Sequence, residues 1–125
     1  MRVLLDTHVL LWTLAGSPRI DRVRDLILSD ETEIYISAAS LWEVAIKSSL
    51  GKLEADVAEL RAASHASGFH ELPIIGIHTE ALARLPRHHS DPFDRMLVAQ
   101  AVTEPMRLLT ADARLTSYGD LIMTV

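Results

Sequence analysis

The sequence predicts an α/β fold: a parallel sheet with helices on both faces. Three observations point there. Short apolar runs alternate with helical patterns from end to end, the order that builds parallel sheets. The runs are near-continuously apolar rather than alternating, as strands buried on both faces must be. The 125 residues give one hydrophobic core of ordinary size, with 49% hydrophobic and 23% charged residues, so a single domain over 1–125 is expected.

Arg2-Val3-Leu4-Leu5 reads as a buried first strand. His8 to Ala15 reads as a short helix closed by Gly16. Ser17-Pro18 is an N-cap with proline at the first helical position, and the following helix carries Ile20, Val23, Leu26 and Ile27 on one stripe. Ile34-Tyr35-Ile36-Ser37 is β-branched and aromatic, a second strand. Ala39 to Leu50 has helical spacing, with Gly51 as its stop. Asp56 to Ser67 is another helix, ending at Gly68. Phe69 to Ile74 reads as a third strand, and His78 to Leu85 as a helix halted by Pro86. Asp91-Pro92 opens a helix running to about Thr103. Arg107 to Thr110 and Leu121 to Thr124 read as strands four and five, with a short helix at Ala113 to Ser117 between them.

Composition narrows the chemistry. The chain has no cysteine. Thiolate zinc sites, iron–sulfur clusters, disulfides and cysteine nucleophiles are therefore excluded. The longest stretch free of Asp, Glu, Lys and Arg, Thr7 to Pro18, is short of the roughly 20 residues a membrane helix needs. Asp6 interrupts the apolar start, against a secretory signal. A soluble cytoplasmic protein is expected. There is no Gly-rich phosphate loop, no G-x-S-x-G and no H-E-x-x-H, which removes P-loop, serine-hydrolase and zincin readings. The net charge of −5 argues against a general nucleic-acid coat protein. Four acids gathered on a cation would leave the remaining surface nearly neutral.

In parallel sheets the functional crevice lies beyond the carboxyl ends of the strands. Asp6 follows strand one immediately, and Asp112 stands two residues past Thr110. Glu43 sits early in the helix after strand two. Asp91 and Asp94 open the helix before strand four. Carboxylates brought together repel unless a cation neutralises them, and their oxygens suit Mg²⁺ or Mn²⁺. Each acid also has a local explanation. Asp6, Asp91 and Asp112 can cap helices, Asp94 at N3 suits the helix dipole, and Glu43 can pair with Lys47 on the surface. His88 and His89 read as solvated loop residues and His8 as a local helix-start residue. His65, His70 and His78 carry no signal. Lys47, Arg87, Arg95 and Arg114 lie close in sequence to the acids and can face an anionic backbone.

Four segments resemble PIN-domain proteins, in the family's order. They are Leu4-Leu5-Asp6-Thr7-His8-Val9-Leu10-Leu11-Trp12; Ser40-Leu41-Trp42-Glu43-Val44-Ala45-Ile46-Lys47 with Gly51-Lys52-Leu53; Asp91-Pro92-Phe93-Asp94-Arg95-Met96-Leu97-Val98-Ala99-Gln100-Ala101; and Leu109-Thr110-Ala111-Asp112. Within that superfamily the likeness is to VapC-type toxins of toxin–antitoxin pairs. The resemblance implies a three-layer α/β/α sandwich around a five-stranded parallel sheet. It implies an RNA endonuclease dependent on Mg²⁺ or Mn²⁺, with Asp6, Glu43, Asp94 and Asp112 as its metal-binding acids. Thr110 matches a hydroxyl that supports the site, and Asp91 is an additional acid in a capping or outer position. His8 stands where many relatives carry Asn or Ser. Hydrolysis would leave 5′-phosphate and 3′-hydroxyl ends. A homodimer, a VapB-like antitoxin and an RNA substrate are the implied partners, with no membrane, and Trp12 and Trp42 suit either interfaces or core packing. The alternatives are a catalytically silent PIN-fold binding module and a free-standing RNA-processing nuclease. A haloacid-dehalogenase-type phosphatase would need Asp where His8 stands, and a receiver domain would need a late lysine, whereas the last lysine is Lys52.

Overall fold

The structure, a computed structural model, describes residues 1–125. Five strands form one parallel sheet: β1 Arg2–Leu5, β2 Glu33–Ser37, β3 His70–Leu72, β4 Arg107–Thr110 and β5 Ile122–Thr124, in the order β3-β2-β1-β4-β5. The helices are α1 Thr7–Leu14, α2 Arg24–Leu28, α3 Ala38–Ser49, α4 Val57–Ala66, α5 Gly76–Arg84 and α6 Pro92–Thr103. Short 3-10 segments occupy Pro18–Val23 and Ala113–Tyr118.

The period-2 alternation of strands divides the core into two layers. Val3 and Leu5 of β1, Ile34 and Ile36 of β2 and Leu109 of β4 pack on one face with Val9 and Leu10 of α1, Leu41 and Val44 of α3 and Leu60 of α4. Leu4, Leu108 and Leu72 point the other way, onto Leu97, Val98 and Ala101 of α6. Helices thus cover both faces, the expected three-layer arrangement. No helix is long and apolar enough to cross a membrane. Trp12 packs against the first layer. Trp42 is 58% exposed and makes an edge contact with Phe93, with ring centroids 5.1 Å apart.

Several expected boundaries shift for identifiable reasons. The third strand is His70–Leu72 rather than Phe69 to Ile74. The Phe69 amide is already committed, closing α4 on Ser64 O at 3.0 Å while Gly68 turns at φ 81°. Pro73 has no amide to continue the ladder. The stretch after Pro18 is 3-10 before it becomes α2. A three-residue repeat stacks Ile20 on Val23, and both are buried. The first helix begins at Thr7 rather than His8, because the Asp6 side chain caps it by accepting the Val9 amide.

Helix α5 starts at Gly76, two residues earlier than expected, because His78 acts as its cap partner from N3. His78 Nδ1 accepts the Ile75 amide at 3.1 Å, and Nε2, which must then carry the ring proton, donates to Glu104 Oε2 at 2.6 Å. This ring is fully buried and ties α5 to the end of α6. His78→Ala should lower unfolding free energy by about 2–3 kcal/mol, through a cavity and two stranded polar partners. Urea denaturation checks this, and an unchanged midpoint would show that the network contributes nothing.

The sheet order locates a crevice. From β1 the chain steps to β2 on one side, while β4 lies on the other, so the switch point falls between the carboxyl ends of β1 and β4. Asp6 leaves β1 there, its amide still bonded to Leu109 O at 3.0 Å.

Candidate active site

A cleft of about 440 Å³ opens at that switch point, and Asp6, Glu43, Asp91, Asp94 and Asp112 all line it. Lys47 and Arg114 line it too, so carboxylates outnumber fixed cations. The structure brings together every acid singled out in the sequence.

Asp6 is 5% exposed. Its Oδ1 accepts the Val9 amide at 2.9 Å, which makes it the cap of α1. Its Oδ2 accepts the Thr110 hydroxyl and the Ala111 amide, the latter at 3.3 Å. Capping and site-building are one geometry, since the bond that starts the helix fixes the carboxylate in the cleft. Burial raises its pKa, and these hydrogen bonds hold the rise in check. Thr110 is fully buried and also accepts the Asp112 amide at 3.0 Å, so one hydroxyl couples two acids.

Glu43 forms the expected pair with Lys47, Oε2 to Nζ 2.6 Å, but it is not a surface residue. It is 5% exposed and its Oε1 lies 2.6 Å from the Thr7 hydroxyl. The pairing raises the lysine's pKa.

Asp91 caps α6 through Oδ1, accepting the amides of Phe93 at 2.8 Å and Asp94 at 3.0 Å. The Asp94 carboxylate itself lines the cleft. Asp94 is pushed up to about 6, chiefly by burial and further by the charges of Asp91 and Asp6, with His89 opposing. Asp112 goes the other way, because Arg114 grips it. Nε and Nη2 sit 3.0 and 2.8 Å from Oδ1 and Oδ2 and hold its pKa below the usual range.

His89 corrects the sequence expectation. It is not a solvated loop residue: its side chain is 7% exposed, with Nε2 2.9 Å from Asp94 Oδ2 and 3.5 Å from Asp112 Oδ2. The loop before the Asp91 cap brings the His89 ring against Asp94 and Asp112, which no motif spacing signals. His88 stays exposed, edge-on to Tyr118 at 5.1 Å. Arg95 does not face the site. Its Nη2 bonds Leu82 O at 3.1 Å, against α5. His8 stands exposed at the mouth of the cleft, 5.9 Å from the Trp12 ring.

Ligand atoms of His89, Asp94 and Asp112 lie within 4.8 Å of one another, a spread that one divalent ion can bridge. A donor set dominated by carboxylate oxygen fits a hard cation.

An α/β/α sandwich whose acids converge at the switch point of a five-stranded parallel sheet defines the class to which the chain belongs. A PIN domain model matches residues 3–121, and the chain belongs to the PIN domain family. Ribonuclease VapC22 of Mycobacterium tuberculosis is 28% identical over 120 residues, covering 93% of this chain and 91% of that protein. A chain in the crystal structure of VapBC2 from Rickettsia felis bound to a DNA fragment from their promoter superposes with TM-score 0.72. It shares 14% identity and covers 100% of this chain and 98% of that one. A chain in the crystal structure of DNA-bound VapBC from Salmonella typhimurium gives TM-score 0.68 at 19% identity, over 99% and 98% of the two chains.

Proposed function

We propose that the protein is a VapC-type endoribonuclease, dependent on Mg²⁺ or Mn²⁺, held in check by a VapB-like antitoxin and acting as a homodimer. The observation that carries the catalytic reading is the convergence of Asp6, Glu43, Asp94 and Asp112 in one cleft at the β1/β4 switch point. The curated relative named a ribonuclease supports the activity, and the two VapBC structures support the antitoxin partner.

Asp6, Glu43, Asp94 and Asp112 would hold the cation, with Asp91 and Thr110 fixing the acids from behind. A divalent cation held there would supply Lewis acidity and counter the charge that builds on the phosphate. The protein's part is positional. Thr110 aims Asp6, the Asp91 cap fixes the turn of backbone that carries Asp94, and Lys47 balances Glu43. Burial of Asp6 and Glu43 keeps water from dispersing the charge. No side-chain nucleophile is needed.

The test is a gel assay of purified protein on total bacterial RNA with Mg²⁺, with Mn²⁺ and with EDTA, beside Asp6→Ala. Discrete cleavage that needs the metal and is lost in the variant is expected. Undiminished cutting by Asp6→Ala would place the chemistry elsewhere. A folded wild type that cuts nothing would leave a binding module as the better reading.

A further inference from the structure

Beside the acidic cleft lies a second one of opposite character. It is shallow, of about 410 Å³, and is lined by Arg87, His88, His89, Ser90 and Arg114. No carboxylate and no apolar side chain contributes to it. Arg114 is the single residue that lines both clefts.

Two features make Arg114 the hinge between them. Its guanidinium holds both oxygens of Asp112, yet its side chain is 74% exposed. An exposed pair between near neighbours contributes little to stability and is easily exchanged. The same planar fork that fits a carboxylate also fits a phosphate. Each of three acids, moreover, has an own-chain counter-ion or donor: Lys47 on Glu43, His89 on Asp94 and Arg114 on Asp112. A cation on the acids would weaken the hold of Asp112 on Arg114, because the charge that attracts the guanidinium would already be countered.

We propose, building on the ribonuclease reading, that the Arg87–His88–His89–Ser90–Arg114 cleft is a subsite for an RNA backbone phosphate beside the scissile one. Arg114 is its exchangeable member, paired with Asp112 in the free protein and turned to the phosphate when the acids hold their cation. Arg87 supplies the standing positive charge. His89, fixed by Asp94 and Asp112, forms the wall between the two clefts. Contacts of this kind set register on the strand and carry no base preference.

Arg114→Gln and Arg87→Gln test this, with a thermal melt confirming folding. Two binding measurements are read for each. Mg²⁺ binding is titrated calorimetrically without RNA. Binding of a short labelled oligoribonucleotide is followed by anisotropy across a salt series, with Ca²⁺ replacing Mg²⁺ so that association is read without turnover. Arg114→Gln should bind Mg²⁺ more tightly, having lost a competitor for Asp112, and bind RNA about tenfold more weakly. Arg87→Gln should leave Mg²⁺ affinity unchanged and weaken RNA. Each variant should reduce the slope of log affinity against log salt by about 0.7, the value for one phosphate contact on a single strand. An unchanged salt slope in both would overturn the subsite, and unchanged Mg²⁺ affinity in Arg114→Gln would overturn the exchange. Either failure in a protein that still cuts RNA through Asp6 rejects this inference alone. A wild type that neither binds nor cuts RNA rejects it together with the ribonuclease reading.

Discussion

Asp94→Asn should cripple RNA cleavage and at the same time make the protein more stable when no metal is added. The carboxyl of Asp94 has a pKa of about 6 in the fold, raised first by burial and then by Asp91 and Asp6. A carboxyl that binds its proton more tightly folded than unfolded contributes stability at low pH. That contribution is lost as pH rises from about 4 to about 6. Above pH 6 the ionised group opposes folding. A two-unit shift corresponds to about 3 kcal/mol. The side chain is 23% exposed, so solvent screening brings this down to about 1–2 kcal/mol. The asparagine keeps an oxygen for His89 but carries no charge. Its gain, a melting temperature several degrees higher, should be present at pH 8 and absent at pH 4. Activity should fall about 100- to 1,000-fold, as when a preorganised charge-stabilising group is removed. In the wild type, protons compete with the cation, and Mg²⁺ affinity should weaken about tenfold per unit below about pH 6. Calorimetric melts at the two pH values, with Mg²⁺ titrations, read every part of this. A variant less stable than wild type at pH 8 would mean that the cluster is not strained by its own charge.

Thr110→Val should be the most damaging change that leaves every acid in place. The substitution keeps the shape of the side chain and removes the hydroxyl that donates to Asp6 and accepts from the Asp112 amide. Both partners then sit buried or half-buried with a lost bond, at about 2–3 kcal/mol. Asp6 keeps the Val9 and Ala111 amides but is no longer held from the β4 side. Mg²⁺ affinity should fall about 10- to 100-fold, the usual effect of losing a group that orients a ligand. Thr110→Ser should restore most of both quantities. Failure of serine to rescue would point to the methyl packing of Thr110 rather than its hydroxyl.

The architecture was readable because parallel strands advertise themselves. Val3-Leu4-Leu5 and Leu108-Leu109 are apolar on consecutive residues, which only a sheet covered on both faces requires. Boundaries were less so. Nothing in Phe69 announces that its amide closes the preceding helix. The acids were legible because each stands at a strand end or helix start, and the capping roles suggested for Asp6, Asp91 and Asp112 are present as well. For Glu43 the i,i+4 pairing with Lys47 masked its place on the inward side of α3, buried beside Val44. His89 was invisible because its contacts are set by the path of a loop. Arg95 was misplaced because proximity in sequence to Asp94 says nothing about which side of α6 it occupies.

The Thr110–Asp6 hydrogen bond joins residues 104 positions apart. Closing that distance carries an entropic cost, since β1 is paired on both sides only when β4 joins it. During synthesis, a chain that has emerged only through α5 holds Asp6 and Glu43 but lacks Asp94, Thr110 and Asp112. The acids therefore come together only once α6 and β4 are in place, and a chain that ends before them lacks half of the proposed site.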